Sequence, residues 1–413
     1  MIINKQTLDN GLRIVHVQDC STQMVAVNML YDVGSRDEHP DHTGFAHLFE
    51  HLMFGGTEHI HDFDTPLQKA GGESNAWTNA DVTNYYSTLP VHHIETALWM
   101  ESDRMAFLNL TDKNLEIQRN VVMEEFKQRC LNRPYGDVSH LMSPLCYKVH
   151  PYRWPVIGMD LSHIANATLK EVNSFYHRYY IPNRAVLAIT GNISWGQALS
   201  LVTKWFGDLP KGVDSFRDLP QEPRQIQQRR MSVKRKVPQN ALYMSFHTPR
   251  YLDADYYACD IISDILCNGD SSRLKQKLIH DRGLFTAIDS PITGTRDAGL
   301  LEIKAKLRPG VSLEQAEEAV WEELDALKNE LVSECELEKV KNKLESVQTF
   351  DNISYQRVAY KLAWFELTEK AERINEEPLR YRAVDSSCIK RLSGEMFSAD
   401  NASVLYYQND GVA

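Results

Sequence analysis

His47-Leu48-Phe49-Glu50-His51 is the stretch of this sequence whose residue types and spacing point most directly to chemistry. On a helix, positions i and i+4 lie on one face, so both imidazoles turn the same way. Two neutral imidazoles at that spacing hold one Zn²⁺ at about 2.0–2.1 Å. Glu50 sits between them, close enough to reach a water on the metal, in the inverted order of the H-E-x-x-H pattern. Chance alone produces the pattern in about 4 % of chains of this composition, so its surroundings decide. Phe45, Ala46, Leu48, Phe49, Leu52, Met53 and Phe54 make the segment apolar nearly all round, which predicts a buried helix. Buried imidazoles and a carboxylate need partners, and a metal satisfies all three.

A catalytic zinc takes three protein ligands and leaves a position for water. The third ligand is expected from Asn120-Val-Val-Met-Glu124-Glu125-Phe126. Helical phase does not separate Glu124 from Glu125, because Val121 and Val122 put apolar residues behind both. His42, His59, His61, His92 and His93 read as loop or surface residues.

These residues need elements to position them. Leu12–Gln18 alternates and Val25–Tyr31 is β-rich, which predicts two strands. Helices are expected over Phe45–Phe54, stopped by Gly55-Gly56, over Leu115–Arg129, and over Leu169–Tyr180 before Pro182. Val186–Thr190 is an apolar strand. Residues 209–239 are polar and punctuated by proline, and read as a linker into an edge strand. The basic cluster Arg229-Arg230 and Lys234-Arg-Lys236 reads as solvated linker or as a guard on that edge. The pattern then restarts, with a strand over Asn240–His247 and a helix over Tyr256–Leu266. Asn401-Ala-Ser-Val404-Leu405 mirrors Asn183-Arg-Ala-Val186-Leu187, 218 positions away. A duplicated α+β unit explains this better than short repeats. The expected organisation is a half at 1–208 carrying the metal residues, a linker and edge strand at 209–239, and a second half at 240–413. Each half is expected to be a mostly antiparallel sheet with packed helices. The Glu- and Lys-rich stretch 314–343 reads as exposed helix faces.

The chain has 413 residues, enough for two to four domains, and 43 % apolar and 24 % charged residues, as in ordinary globular proteins. The formal charge of −11 argues against a nucleic-acid binder. Seven scattered cysteines without a CxxC argue against a disulfide framework and against a Cys-based zinc site. No apolar run is long enough to span a membrane, and no signal peptide precedes the sequence if Met1 is the native start, so a cytoplasmic location is expected.

Gly44-Phe-Ala-His47-Leu-Phe-Glu50-His51-Leu-Met-Phe-Gly-Gly-Thr57 resembles the zinc signature of the pitrilysin, insulin-degrading enzyme and mitochondrial processing peptidase family. Gly71-Gly-Glu-Ser-Asn75-Ala76-Trp77-Thr78, continued by Asp81-Val-Thr-Asn-Tyr-Tyr86, resembles its substrate-strand motif. His150-Pro-Tyr-Arg-Trp-Pro-Val-Ile-Gly158 and Tyr179-Tyr-Ile-Pro-Asn183 are similar to further landmarks. The resemblance covers essentially the whole chain and is strongest over 1–195. It implies Glu125 as third ligand, since Val121-Val122-Met-Glu124-Glu125 matches the family's V-V-x-x-E segment, 74 positions after His51. Where the family often has a supporting Glu, this chain has Gln118, seven residues before Glu125. An amide there brings no charge to tune the site.

The resemblance further implies one Zn²⁺ per chain on His47, His51 and Glu125, with Glu50 as the base that activates water for peptide hydrolysis. Asn75, Ala76, Trp77 and Thr78 would meet the substrate backbone by strand addition. The aligned second half has Ile261 and Ile265 opposite the two histidines and Asp264 opposite Glu50, so its ligands are lost. The Arg and Tyr that family proteases use to hold the substrate carbonyl become Ile279 and Thr286, and His280 and Arg282 have the wrong spacing to replace them. The expected active species is a heterodimer with a related subunit that supplies the Arg/Tyr pair, otherwise a homodimer, with peptides as substrates and neither nucleic acid nor membrane as partner. Two rivals are a non-catalytic scaffold subunit and a peptide-binding protein with a structural zinc. The intact ligand set argues against the first, and Glu50 against the second.

Overall fold

The alternating N-terminal stretches become strands of a six-stranded sheet. In the computed structural model these are β1 (Asn4–Thr7), β2 (Arg13–Gln18), β3 (Met24–Tyr31), β4 (Glu73–Thr78), β5 (Thr83–Pro90) and β6 (Ala185–Gly191), in the order β1-β2-β6-β3-β5-β4. The β2–β6 pair is parallel and every other pair antiparallel. The structure describes residues 1–213 and 217–411. Of the expected linker, Asp214, Ser215 and Phe216 lie outside the described residues.

A second sheet contains β7 (Arg229–Arg235), β8 (Ala241–Thr248), β9 (Phe285–Asp289), β10 (Gly299–Leu307) and β11 (Ala402–Asn409), in the order β7-β11-β8-β10-β9. Here β7–β11 is the parallel pair and the rest are antiparallel. Replacing β2 through β6 one for one with β7 through β11 reproduces both order and polarity. The duplication read from Asn183 and Asn401 is therefore a duplication of sheet topology, and each asparagine lies in a 3-10 turn entering the matching strand, β6 or β11. The fold is α+β, two sheets with packed helices.

The compact units differ from the two contiguous halves expected. The first comprises Met1–Arg129, Trp154–Leu219 and Thr349–Glu376; the second comprises Cys130–Arg153, Pro220–Gln348 and Glu377–Ala413. In the first unit, β3 is buried along almost its whole length, so both faces of its sheet need cover. The helix Tyr355–Thr368 packs on β2, β3 and β6 to help provide it. In the second unit the helix Val138–Cys146 packs on β7, β8 and β11. A local hydrophobic pattern says that a helix must bury a face, not which sheet receives it.

Edge strand β7 carries its basic cluster as expected, but each of its three arginines has a carboxylate partner. Arg229 faces Glu222, Arg230 faces Glu317 and Arg235 faces Asp137. The Glu-rich helices expose one face and bury the other, and Glu317 lies on the buried side, where it accepts the Trp321 indole N–H at 3.1 Å and the Tyr406 hydroxyl at 2.6 Å. Among the described residues no helix is long and apolar enough to cross a membrane.

Candidate metal centre

The helix Phe45–Leu52 begins at Gly44, whose φ of +89° belongs to the left-handed region. A Cβ there would lie 2.9 Å from the Ile157 carbonyl oxygen and 2.8 Å from Ile164 Cδ1. The buried Glu38 carboxylate accepts the N–H groups of Gly44 and Ala46, each at 2.8 Å, and so satisfies donors that the helix start leaves open. Phe45, Ala46, Leu48, Phe49 and Leu52 enter the core. Phe49 stacks on Phe175 and Tyr180, with ring centroids 5.0 and 5.1 Å away. Packing and capping fix this helix, and the opposite side carries His47, Glu50 and His51.

The helix Asp112–Phe126 brings Glu125 to them. Glu125 Oε2 lies 3.6 Å from His47 Nε2 and 3.2 Å from His51 Nε2. One potential ligand atom from each residue falls within 4.8 Å of the others. Burial pushes the His47 imidazole down to about 4, against the upward pull of Glu125. The contact with His51 holds the Glu125 carboxyl below its ordinary range. One deprotonated imidazole and an ionised carboxylate are forms that metal binding requires. Converging nitrogen and oxygen donors of this kind fit Zn²⁺, and three of them leave a fourth position open.

Glu124 points elsewhere: its carboxylate accepts from Lys127 at 2.6 Å and is largely exposed. Glu50 is half-buried. Burial raises its carboxyl, while the Thr78 hydroxyl and His51 pull it back. Thr78 Oγ1 is buried and approaches Glu50 without completing a hydrogen bond.

Among the described residues, strand β4 is the outer strand of its sheet, paired with β5 alone. At the hairpin end Asn79 N–H bonds to Val82 O at 3.0 Å. Antiparallel alternation then turns the N–H and C=O of Ala76, opposite Tyr85, to the unpaired side. That N–H is held at 2.8 Å by Oδ1 of the exposed Asn75. Trp77 instead turns edge-on to Tyr360, at a centroid distance of 5.0 Å. Gln118 is half-buried on the Glu125 helix and is not part of the converging group.

Sequence reasoning missed Arg129, whose Nη2 lies 2.8 Å from Glu125 Oε1. Its position four residues after Glu125 was the available signal. It also missed that His59, exposed as expected, directs Nδ1 to Asp103 Oδ1 at 2.7 Å. In the second unit, Ile279 packs against the apolar core, Thr286 is exposed on β9, and Arg282 is engaged by Glu322.

Residues 13–135 match the family model described as Insulinase (Peptidase family M16), and residues 166–344 match the one described as Peptidase M16 inactive domain. The chain is 28 % identical to the zinc protease PqqE of Helicobacter pylori over 408 residues, covering 97 % of this chain and 91 % of that one. It is 28 % identical to the uncharacterized zinc protease YmxG of Bacillus subtilis over 347 residues, 83 % of each chain. A crystal structure of a protease from Helicobacter pylori superimposes with a TM-score of 0.93 at 27 % identity, covering 98 % of this chain and 99 % of that one. With the two M16 models together matching most of the chain and the fold shared end to end, the chain belongs to the insulinase family of peptidases, M16.

Proposed function

We propose that this chain is the metal-bearing subunit of a zinc-dependent endopeptidase that hydrolyses unfolded peptides. The observation that carries the reading is the convergence of His47, His51 and Glu125, with Glu50 on the same helix turn. A zinc ion held by those three residues would supply Lewis acidity toward the scissile carbonyl and lower the pKa of water beside it. Glu50 takes the proton of the attacking water on its carboxylate and passes it to the leaving amine nitrogen. The open side of β4 receives the peptide as an added strand, with the Ala76 N–H donating to a substrate carbonyl once Asn75 Oδ1 releases it. Backbone pairing of this kind gives affinity with little selection among side chains.

Two features support a second chain in the active species. Ile279 and Thr286 carry no donor suited to a developing oxyanion, and Arg282 is already engaged by Glu322. A related subunit carrying an Arg/Tyr pair would complete the site. The test is cleavage of an unstructured peptide by the zinc-loaded chain, alone and mixed with such a subunit. Oxyanion donors are worth about 10²–10³ in rate each, so the mixture is expected to be faster by at least that factor. Full activity of the chain alone, unchanged by any related subunit, would refute the partner and leave the peptidase reading in place.

A further inference from the structure

The two oxygens of Glu125 have different neighbours. Oε2 faces the imidazoles of His47 and His51, while Oε1 receives the Arg129 guanidinium at 2.8 Å. Arg129 lies in a π-helical turn, Lys127–Leu131, that begins as the Glu125 helix ends. Such turns are rare and recur at functional sites. The Glu125 side chain is only 17 % exposed, whereas that of Arg129 is 65 % exposed. The guanidinium therefore reaches inward from a solvent-facing position to a carboxylate that lies mostly within the protein.

We infer that Arg129 is the positioning residue of the third metal donor, holding the Glu125 carboxylate so that Oε1 is occupied and Oε2 alone is presented to the ion. The inference rests on the zinc reading of the site and goes beyond it by assigning how that carboxylate is oriented. A carboxylate free of such a contact turns about its last bond and can offer both oxygens. A charge-assisted N–H···O bond to one of them removes that freedom before the metal arrives. The half-buried amide of Gln118 brings no charge, so the charge-assisted partner of Glu125 in this chain is Arg129.

Arg129 acts on the ion in two opposing ways. Its positive charge repels a cation, and its hydrogen bond pre-orients a ligand. The guanidinium is mostly in water, which screens the first effect. Partners that orient metal ligands are worth about 10–100-fold in metal affinity, so orientation outweighs repulsion.

The test measures Zn²⁺ affinity of the full chain by competition with a chromophoric chelator, for wild type, Arg129→Ala, Arg129→Lys and Arg129→Gln. Visible absorption of the Co²⁺-substituted proteins reports on coordination. Arg129→Ala is expected to weaken zinc binding about 10–100-fold and to change the Co²⁺ spectrum, with the unfolding midpoint of the metal-free protein unchanged. Arg129→Lys and Arg129→Gln, which retain a donor, are expected to fall between. Zinc binding by Arg129→Ala as tight as wild type, or tighter, would overturn the inference while leaving the zinc site intact. Failure of the wild type itself to bind zinc would overturn the proposed function, and this inference with it.

Discussion

The imidazole rings of His47 and His51 stand 5.0 Å apart at 88° to one another, and their Nε2 atoms approach the same oxygen of Glu125. Edge-on rings with converging nitrogens follow from helical i, i+4 spacing on a helix whose other side is locked into an aromatic core. A carboxylate delivered from a second helix completes the group. Adjacent residues on that second helix have different fates, and this gives a direct test of the ligand set.

Glu125→Gln is expected to lower zinc affinity at least tenfold, since an amide oxygen is a weaker donor and carries no charge. Glu124→Gln is expected to leave it within about twofold, because Glu124 pairs with Lys127 at the surface. Chelator competition on the two variants checks both statements. The reverse pattern would assign the wrong glutamate.

The proposed peptide contact on β4 is testable separately from metal binding. Ala76→Pro removes the N–H on the open side of an edge strand, where proline is tolerated, and leaves the ladder to β5. One lost hydrogen bond of about 0.5–1.5 kcal/mol predicts a KM raised about two- to tenfold, with zinc content unchanged. Unchanged KM would exclude Ala76 from the peptide contact.

A half-buried carboxyl in the second unit makes stability depend on pH. Asp260 accepts the Tyr381 hydroxyl at 2.6 Å. Burial, with like charge from Asp264 and Glu377, pushes its carboxyl up from 3.8 to about 6 against the pull of Tyr381. The folded chain therefore holds this proton where the unfolded chain has lost it. The stability it contributes is complete below about pH 4 and is lost as the pH rises through about 6. Asp260→Asn does not titrate, so its unfolding midpoint relative to wild type is expected to climb from about pH 4 to about pH 7.5. Thermal unfolding across that range checks this, and a constant difference would contradict it.

Much of this architecture could be read from residue patterns, and the exceptions have physical causes. The helix carrying His47 and His51 declared itself because apolar residues surround the polar three. The choice between Glu124 and Glu125 was hidden from helical phase because Val121 and Val122 are both apolar, yet Val122 is buried and Val121 is 44 % exposed. Family resemblance pointed to Glu125, and the structure brings that residue to the histidines. The duplicated sheet was legible from the recurring order of strands and helices. The assignment of Thr349–Glu376 to the first unit and Cys130–Arg153 to the second was not, because it depends on contacts far apart in sequence. Arg129 escaped notice because an exposed arginine near the end of a charged helix is ordinarily a solvated one, and only the structure brings it to Glu125. Trp77 was read with the substrate strand, and the partner of its ring, Tyr360, could not be read from the sequence because it lies far along the chain.

The central claim is that a zinc ion on His47, His51 and Glu125 works with Glu50 as proton carrier. The most direct measurement is zinc content alongside cleavage of an unstructured peptide, for wild type and Glu50→Gln, each with the related subunit present. Both proteins are expected to bind one zinc per chain, with hydrolysis confined to the wild type, abolished by a chelator and restored by added zinc. Hydrolysis by Glu50→Gln at the wild-type rate, or cleavage that persists after the metal is stripped, would contradict the account.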